Sequence, residues 1–77
     1  MPGPSKHSVT LAGHRTSITL EDEFWQALKK IAKTEDRSLG QLVGEIDRAR
    51  LNDGALDHNL SSALRVYILK WYQAKTS

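Results

Sequence analysis

Arg15, Ser17 and Thr19 fall on one face of a short alternating run, and Ile18 and Leu20 fall on the other. The polar set shares one kind of chemistry. An arginine guanidinium can bond guanine in bidentate fashion, and Ser and Thr hydroxyls can donate to or accept from base edges. Such a strand suits the floor of a DNA groove, with its apolar face packed on helices. Catalytic chemistry finds no comparable set. The chain has no cysteine, no glycine-rich phosphate loop, and no histidine at a recognisable spacing from a nucleophile. Glu21, Asp22 and Glu23 are consecutive, so they point around a helix rather than converging as acid and base. His7, His14 and His58 match no zinc spacing and read as surface or turn residues. The expectation is a binding protein that is not an enzyme and carries no metal and no cofactor.

Elements must hold that strand, and 77 residues allow one small domain. A chain of this length buries only roughly 60 to 65% of its unfolded surface. With no disulfide available, oligomerisation is the cheapest further source of stability. The net charge of +2 is mild, but its distribution is uneven. No acidic residue precedes Glu21 and none follows Asp57, while Lys6 and Arg15 lie before that span and Arg65, Lys70 and Lys75 after it. This predicts a positive N-terminal face. No apolar run is long enough to span a membrane, and Met1–Lys6 has no apolar signal core, so the cytoplasm is the default compartment.

Residues 1–7 read as a flexible lead-in. Ser8–Leu11 alternates like a brief strand with Val9 and Leu11 apolar at odd numbers, whereas Ile18 and Leu20 are apolar at even numbers. One flat strand cannot hold both sets on one face, so the register must break near Gly13, as a hairpin or as a loose arm. A first helix is predicted over 21–34, capped by Thr19 or Glu21, with Phe24, Leu28, Ile31 and Ala32 buried and Trp25 off the stripe. Lys29, Lys30 and Lys33 load its C-terminal half, as the helix dipole prefers. Ser38 and Gln41 form a capping box for a second helix that turns Leu39, Leu42, Val43, Ile46 and Ala49 inward. Gly40 and Gly44 share a face of that helix at a propensity cost of roughly 1 kcal/mol each, which predicts close approach to a partner helix. After a turn at Asn52-Asp53-Gly54, a third helix should start near Asn59 and reach about Ala74. Leu60, Leu64, Tyr67, Ile68 and Trp71 line one side, and Val66, Leu69 and Tyr72 spill onto the flanks. So wide a stripe asks for a second surface, and a partner subunit is the natural one.

Strand, helix, tight connection opening on Ser38, and second helix together resemble the ribbon-helix-helix proteins of the Arc/MetJ/CopG superfamily, from Arg15 to Ile46. With its added ends the chain looks like the small bacterial members of that group. The resemblance implies a mainly α fold with a short β-ribbon: an intertwined homodimer plus a third, C-terminal helix. Residues 8–50 would be the ribbon-helix-helix domain and 51–77 the turn and last helix. It implies a sequence-specific, repressor-like transcriptional regulator whose paired strands enter the major groove of double-stranded DNA. Arg15, Ser17 and Thr19 would read bases. Arg37, Ser38, Leu39 and Gly40 would hold phosphate, and Ile18, Leu20, Leu42, Val43 and Ile46 would form the dimer interface. The usual connection has a glycine where this chain has Asp36, which also tolerates a left-handed backbone. If Val9–Leu11 folds back on the ribbon, the dimer's sheet becomes four-stranded. The competing reading is then a protein-interaction module that uses the apolar third helix to engage a partner or to tetramerise.

Overall fold

Two alternating runs, Ser5–Leu11 (β1) and His14–Leu20 (β2), fold back on each other as an antiparallel hairpin. The structure, a computed structural model, describes residues 3–11, 13–52 and 59–76. Leu11 pairs with His14, Val9 with Thr16, His7 with Ile18 and Ser5 with Leu20. Odd residues of β1 therefore share a face with even residues of β2, which resolves the parity conflict in favour of the hairpin. Gly13 supplies the backbone the reversal needs, at φ +83. One expectation is corrected: Ser5, Lys6 and His7 belong to β1 rather than to a lead-in.

Helix α1 spans Asp22–Thr34 and buries Leu28, Ile31 and Ala32, with Phe24 half-buried at its start. Glu21 occupies the N-cap position, but its side chain makes no capping bond. Its carboxylate instead accepts from Arg65 Nε at 3.0 Å and from the second guanidinium nitrogen at 3.3 Å. The end of α1 is tightly specified. Asp36 takes φ 57, its N–H donates to the Lys33 carbonyl at 3.1 Å, and the Arg37 N–H donates to the Ala32 carbonyl at 2.9 Å. That is the Schellman arrangement, with aspartate in the left-handed position that glycine more often fills.

Helix α2 (Leu39–Asn52) starts on the expected capping box: Ser38 N–H donates to Gln41 Oε1 at 2.9 Å and Gln41 N–H donates to Ser38 Oγ at 3.1 Å. It buries Leu42, Val43 and Ile46, but Ala49 is exposed, so the inward stripe ends one turn sooner than its spacing suggests. Helix α3 (Leu60–Thr76) is capped by Asn59, whose Oδ1 accepts from the Ser62 N–H at 2.8 Å. It runs to Thr76, two residues past the expected end.

Packing places α3 against α1, α2 and β2, and α2 against β1. Leu64 and Ile68 of α3 join Val9 of β1, and Ile18 and Leu20 of β2, in one core. Ile18, Leu20, Leu42, Val43 and Ile46, which the resemblance assigns to a dimer interface, are all buried within a single chain. Within the chain, Val9 of β1 and Leu64 and Ile68 of α3 belong to the same cluster of buried side chains. What α3 leaves outside is Val66 and Leu69, 50% and 56% exposed.

The Arg65–Glu21 pair ties α3 to the junction of β2 and α1. The Arg65 guanidinium, helped by a backbone hydrogen bond, holds the Glu21 carboxyl below the usual glutamate range. A depressed carboxylate contributes stability that is present above its unfolded-state value and lost as pH falls through its folded one. The melting-temperature gap between the wild-type chain and Glu21→Gln should therefore be open at pH 7 and close in the acid limb. A gap that stays constant down to pH 3 would remove this pair from the acid response.

Candidate nucleic-acid interface

The outer face of the hairpin is built by the same register that fills the core. Thr10 lies across from Arg15, Ser8 from Ser17 and Lys6 from Thr19, and all six side chains are exposed. The three residues expected to read bases thus stand on one outward face, two residues apart along β2. The face carries Lys6 and Arg15, four hydroxyls and no carboxylate. In an antiparallel pair closed by two residues, alternate backbone groups point away from the partner strand. Here these are the groups of Arg15, Ser17 and Thr19, and the Thr19 carbonyl accepts from the Ser61 hydroxyl of α3 at 2.6 Å. Among the described residues no further strand pairs with that edge.

The α2 N-terminus meets this hairpin directly. A Cβ built on Gly40 would lie 2.7 Å from the Thr10 carbonyl oxygen, so only a glycine lets α2 sit so close to β1. The close approach is to a strand rather than to a partner helix, and nothing lies within 4 Å of a Cβ built on Gly44. Gly40, Thr10 and Arg15 are consequently successive neighbours, which joins the helix start to the strand face. A crevice of about 560 Å³ there is lined by Thr10, Ser38, Gly40 and Gln41 and also, along α2, by Glu45, Asp47 and Arg48, so acidic residues border the helix start even though the hairpin face has none. Leu39 and Gly40 hold first-turn positions, where backbone N–H groups have no acceptor inside the helix. Ser38 Oγ accepts from Gln41 and still has its own proton to donate.

Of the four residues expected at phosphate, Ser38, Leu39 and Gly40 come together and Arg37 does not join them. Arg37 is half-buried and forms an ion pair with Glu45 on α2. Sequence reasoning missed Lys6, Ser8 and Thr10, although the signal was present: even-numbered polar residues before a two-residue reversal land beside odd-numbered ones after it. His7, expected at the surface or in a turn, is placed differently. His7 faces inward, stacks on Trp25 at 4.2 Å and 9°, and brings Nε2 to 3.5 Å from Asp22. Trp25 thereby meets β1 from α1.

A hairpin face joined to a capped helix start, with a second helix packed behind it, defines a small strand-led helical domain. The chain belongs to the ribbon-helix-helix domain family, whose sequence model matches residues 4–72. That match takes in β1 and most of α3. No curated protein and no solved structure matches the chain. Among the described residues, no helix is long and apolar enough to cross a membrane.

Proposed function

We propose that this chain is a sequence-specific, DNA-binding transcriptional regulator that meets the major groove with the outer face of its hairpin. Family membership supports DNA binding and regulation in general. The observation that carries the finer reading is the exposed, carboxylate-free face holding Arg15, Ser17 and Thr19, contiguous through Thr10 with the start of α2. In this reading Arg15 bonds a guanine edge, Ser17 and Thr19 contact neighbouring bases, and Ser38 with the Leu39 and Gly40 amides holds a phosphate. Arg37 has no part in it.

The same reading includes a homodimer acting as a repressor in the cytoplasm. Its support is the outer edge of β2, whose backbone groups at Arg15 and Ser17 suit an antiparallel copy of the same strand.

Arg15→Ala tests the reading. Specific affinity should fall by about 1–3 kcal/mol, roughly 5- to 150-fold, with relaxed preference at one base pair. The melting temperature should hardly move, because the side chain faces solvent. Unchanged affinity for a selected DNA site would defeat the assignment. A second reading, a protein-interaction module, draws on Val66 and Leu69, which are exposed beside Phe24 and Tyr72 on an apolar crevice. It predicts that Leu69→Glu abolishes partner binding or tetramer formation while the fold itself stays intact.

A further inference from the structure

We infer that β1 is the backbone-gripping strand of this DNA-binding surface: Lys6, with the hydroxyls of Ser8 and Thr10, contacts phosphates while β2 reads bases. The inference rests on the DNA-binding reading and adds to it a second row of contact residues.

Three observations lead there. The register puts Lys6, Ser8 and Thr10 on the same outward face as Thr19, Ser17 and Arg15, and all of them are exposed. The cation on β1 is a lysine, a compact point charge suited to phosphate, whereas the cation on β2 is an arginine, whose fork suits guanine. The Thr10 carbonyl touches Gly40, so β1 and the start of α2 form one continuous ledge.

Groove dimensions then divide the labour. Strands lie about 4.8 Å apart, so a sheet of four spans about 14 Å between its outer strands. The major groove is about 12 Å wide. When two chains join through their β2 edges, the β2 strands lie central and the β1 strands lie outside, over the phosphate walls. A sheet broadened by β1 therefore does not exclude DNA. It exchanges depth of insertion for a hold on the backbone, and Lys6 stands at the rim where that hold is made.

The test is salt-dependent binding of the full chain to a selected DNA duplex and to a scrambled one, comparing Lys6→Ala, Ser8→Glu and Arg15→Ala. Lys6→Ala should weaken binding to both duplexes by a similar factor. It should also make the plot of log affinity against log salt shallower by about one unit for each phosphate that Lys6 neutralises. Ser8→Glu should weaken binding to both duplexes at least as much, since it sets a carboxylate against the backbone. Arg15→Ala should act mainly on the selected duplex. Circular dichroism and melting curves that match the wild-type chain show that each variant is folded, as exposed positions on a strand's outer face lead one to expect.

If Arg15→Ala loses the selected site while Lys6→Ala and Ser8→Glu bind normally, β1 stays clear of DNA and the inference falls with the DNA reading intact. If Lys6→Ala erases discrimination between the duplexes, β1 reads bases and the division of labour is overturned. If none of the three changes binding, the DNA reading itself falls.

Discussion

Leu64→Ala is expected to remove about 2–5 kcal/mol of folding stability, the cost of emptying a closed aliphatic site. Leu64 is fully buried in α3, among side chains that α1, α2 and the hairpin contribute to the same core. Native stability runs at roughly 0.05–0.15 kcal/mol per residue, which gives a chain of this size only about 4–12 kcal/mol in all. One substitution in the last helix would thus cost a large share of the total. Urea unfolding followed by the tryptophan signal measures it directly. Trp71→Ala should cost less than the roughly 3–5 kcal/mol of a fully buried aromatic, because Trp71 is half-buried. It gives up an indole N–H bond to Glu35 at 3.3 Å and a Lys75 ammonium 5.0 Å above the ring, rather than a filled cavity. A Leu64→Ala midpoint at the wild-type value would mean that α3 does not share the core.

This result bears on how a short strand and two helices come to be complete in one chain. The ribbon-helix-helix resemblance supplies strand, helix and capped second helix, and all three are readable from residue type. Ser38 and Gln41 announce their reciprocal bonds, Asn59 announces its cap, and Asp36 is a residue type able to take the left-handed position that its φ of 57 records. What residue type alone does not decide is which surface covers which. A wide apolar stripe on α3 is equally consistent with a partner subunit or with folding back on α1 and α2. That choice depends on where the chain returns after Asn52, a long-range fact without a local signature. The same limit hides the role of β1. Hairpin and loose arm share one sequence, and only the pairing of Val9 with Thr16 places Lys6, Ser8 and Thr10 on the outer face. Arg37 shows a related limit. Its position beside Ser38 is legible, but its ion pair with Glu45 depends on the turn of α2 that carries the acid.

Gly40→Val is expected to destabilise the fold by about 3 kcal/mol, at the upper end of what overpacking costs, while Gly44→Ala on the same helix stabilises it by up to about 1 kcal/mol. The two glycines share a composition argument and differ in surroundings. At position 40 even a single Cβ would press to 2.7 Å on the Thr10 carbonyl oxygen, a backbone atom held in the β1–β2 hairpin that cannot swing aside. The strain must be relieved by moving the start of α2 away from β1. At position 44 a Cβ meets nothing within 4 Å, so alanine only removes backbone freedom from the unfolded chain. Gly40→Ala should lie between, its helix-propensity gain of about 1 kcal/mol offset by the clash with Thr10. The functional consequence follows from the same geometry. Displacing α2 separates the Leu39 and Gly40 amides from Thr10 and Arg15, so DNA affinity should drop in Gly40→Ala even at temperatures where the protein is fully folded. Gly44→Ala should bind as the wild-type chain does. Melting curves and DNA titrations on the three variants check both halves, and equal behaviour of positions 40 and 44 would mean that α2 does not rest on the hairpin.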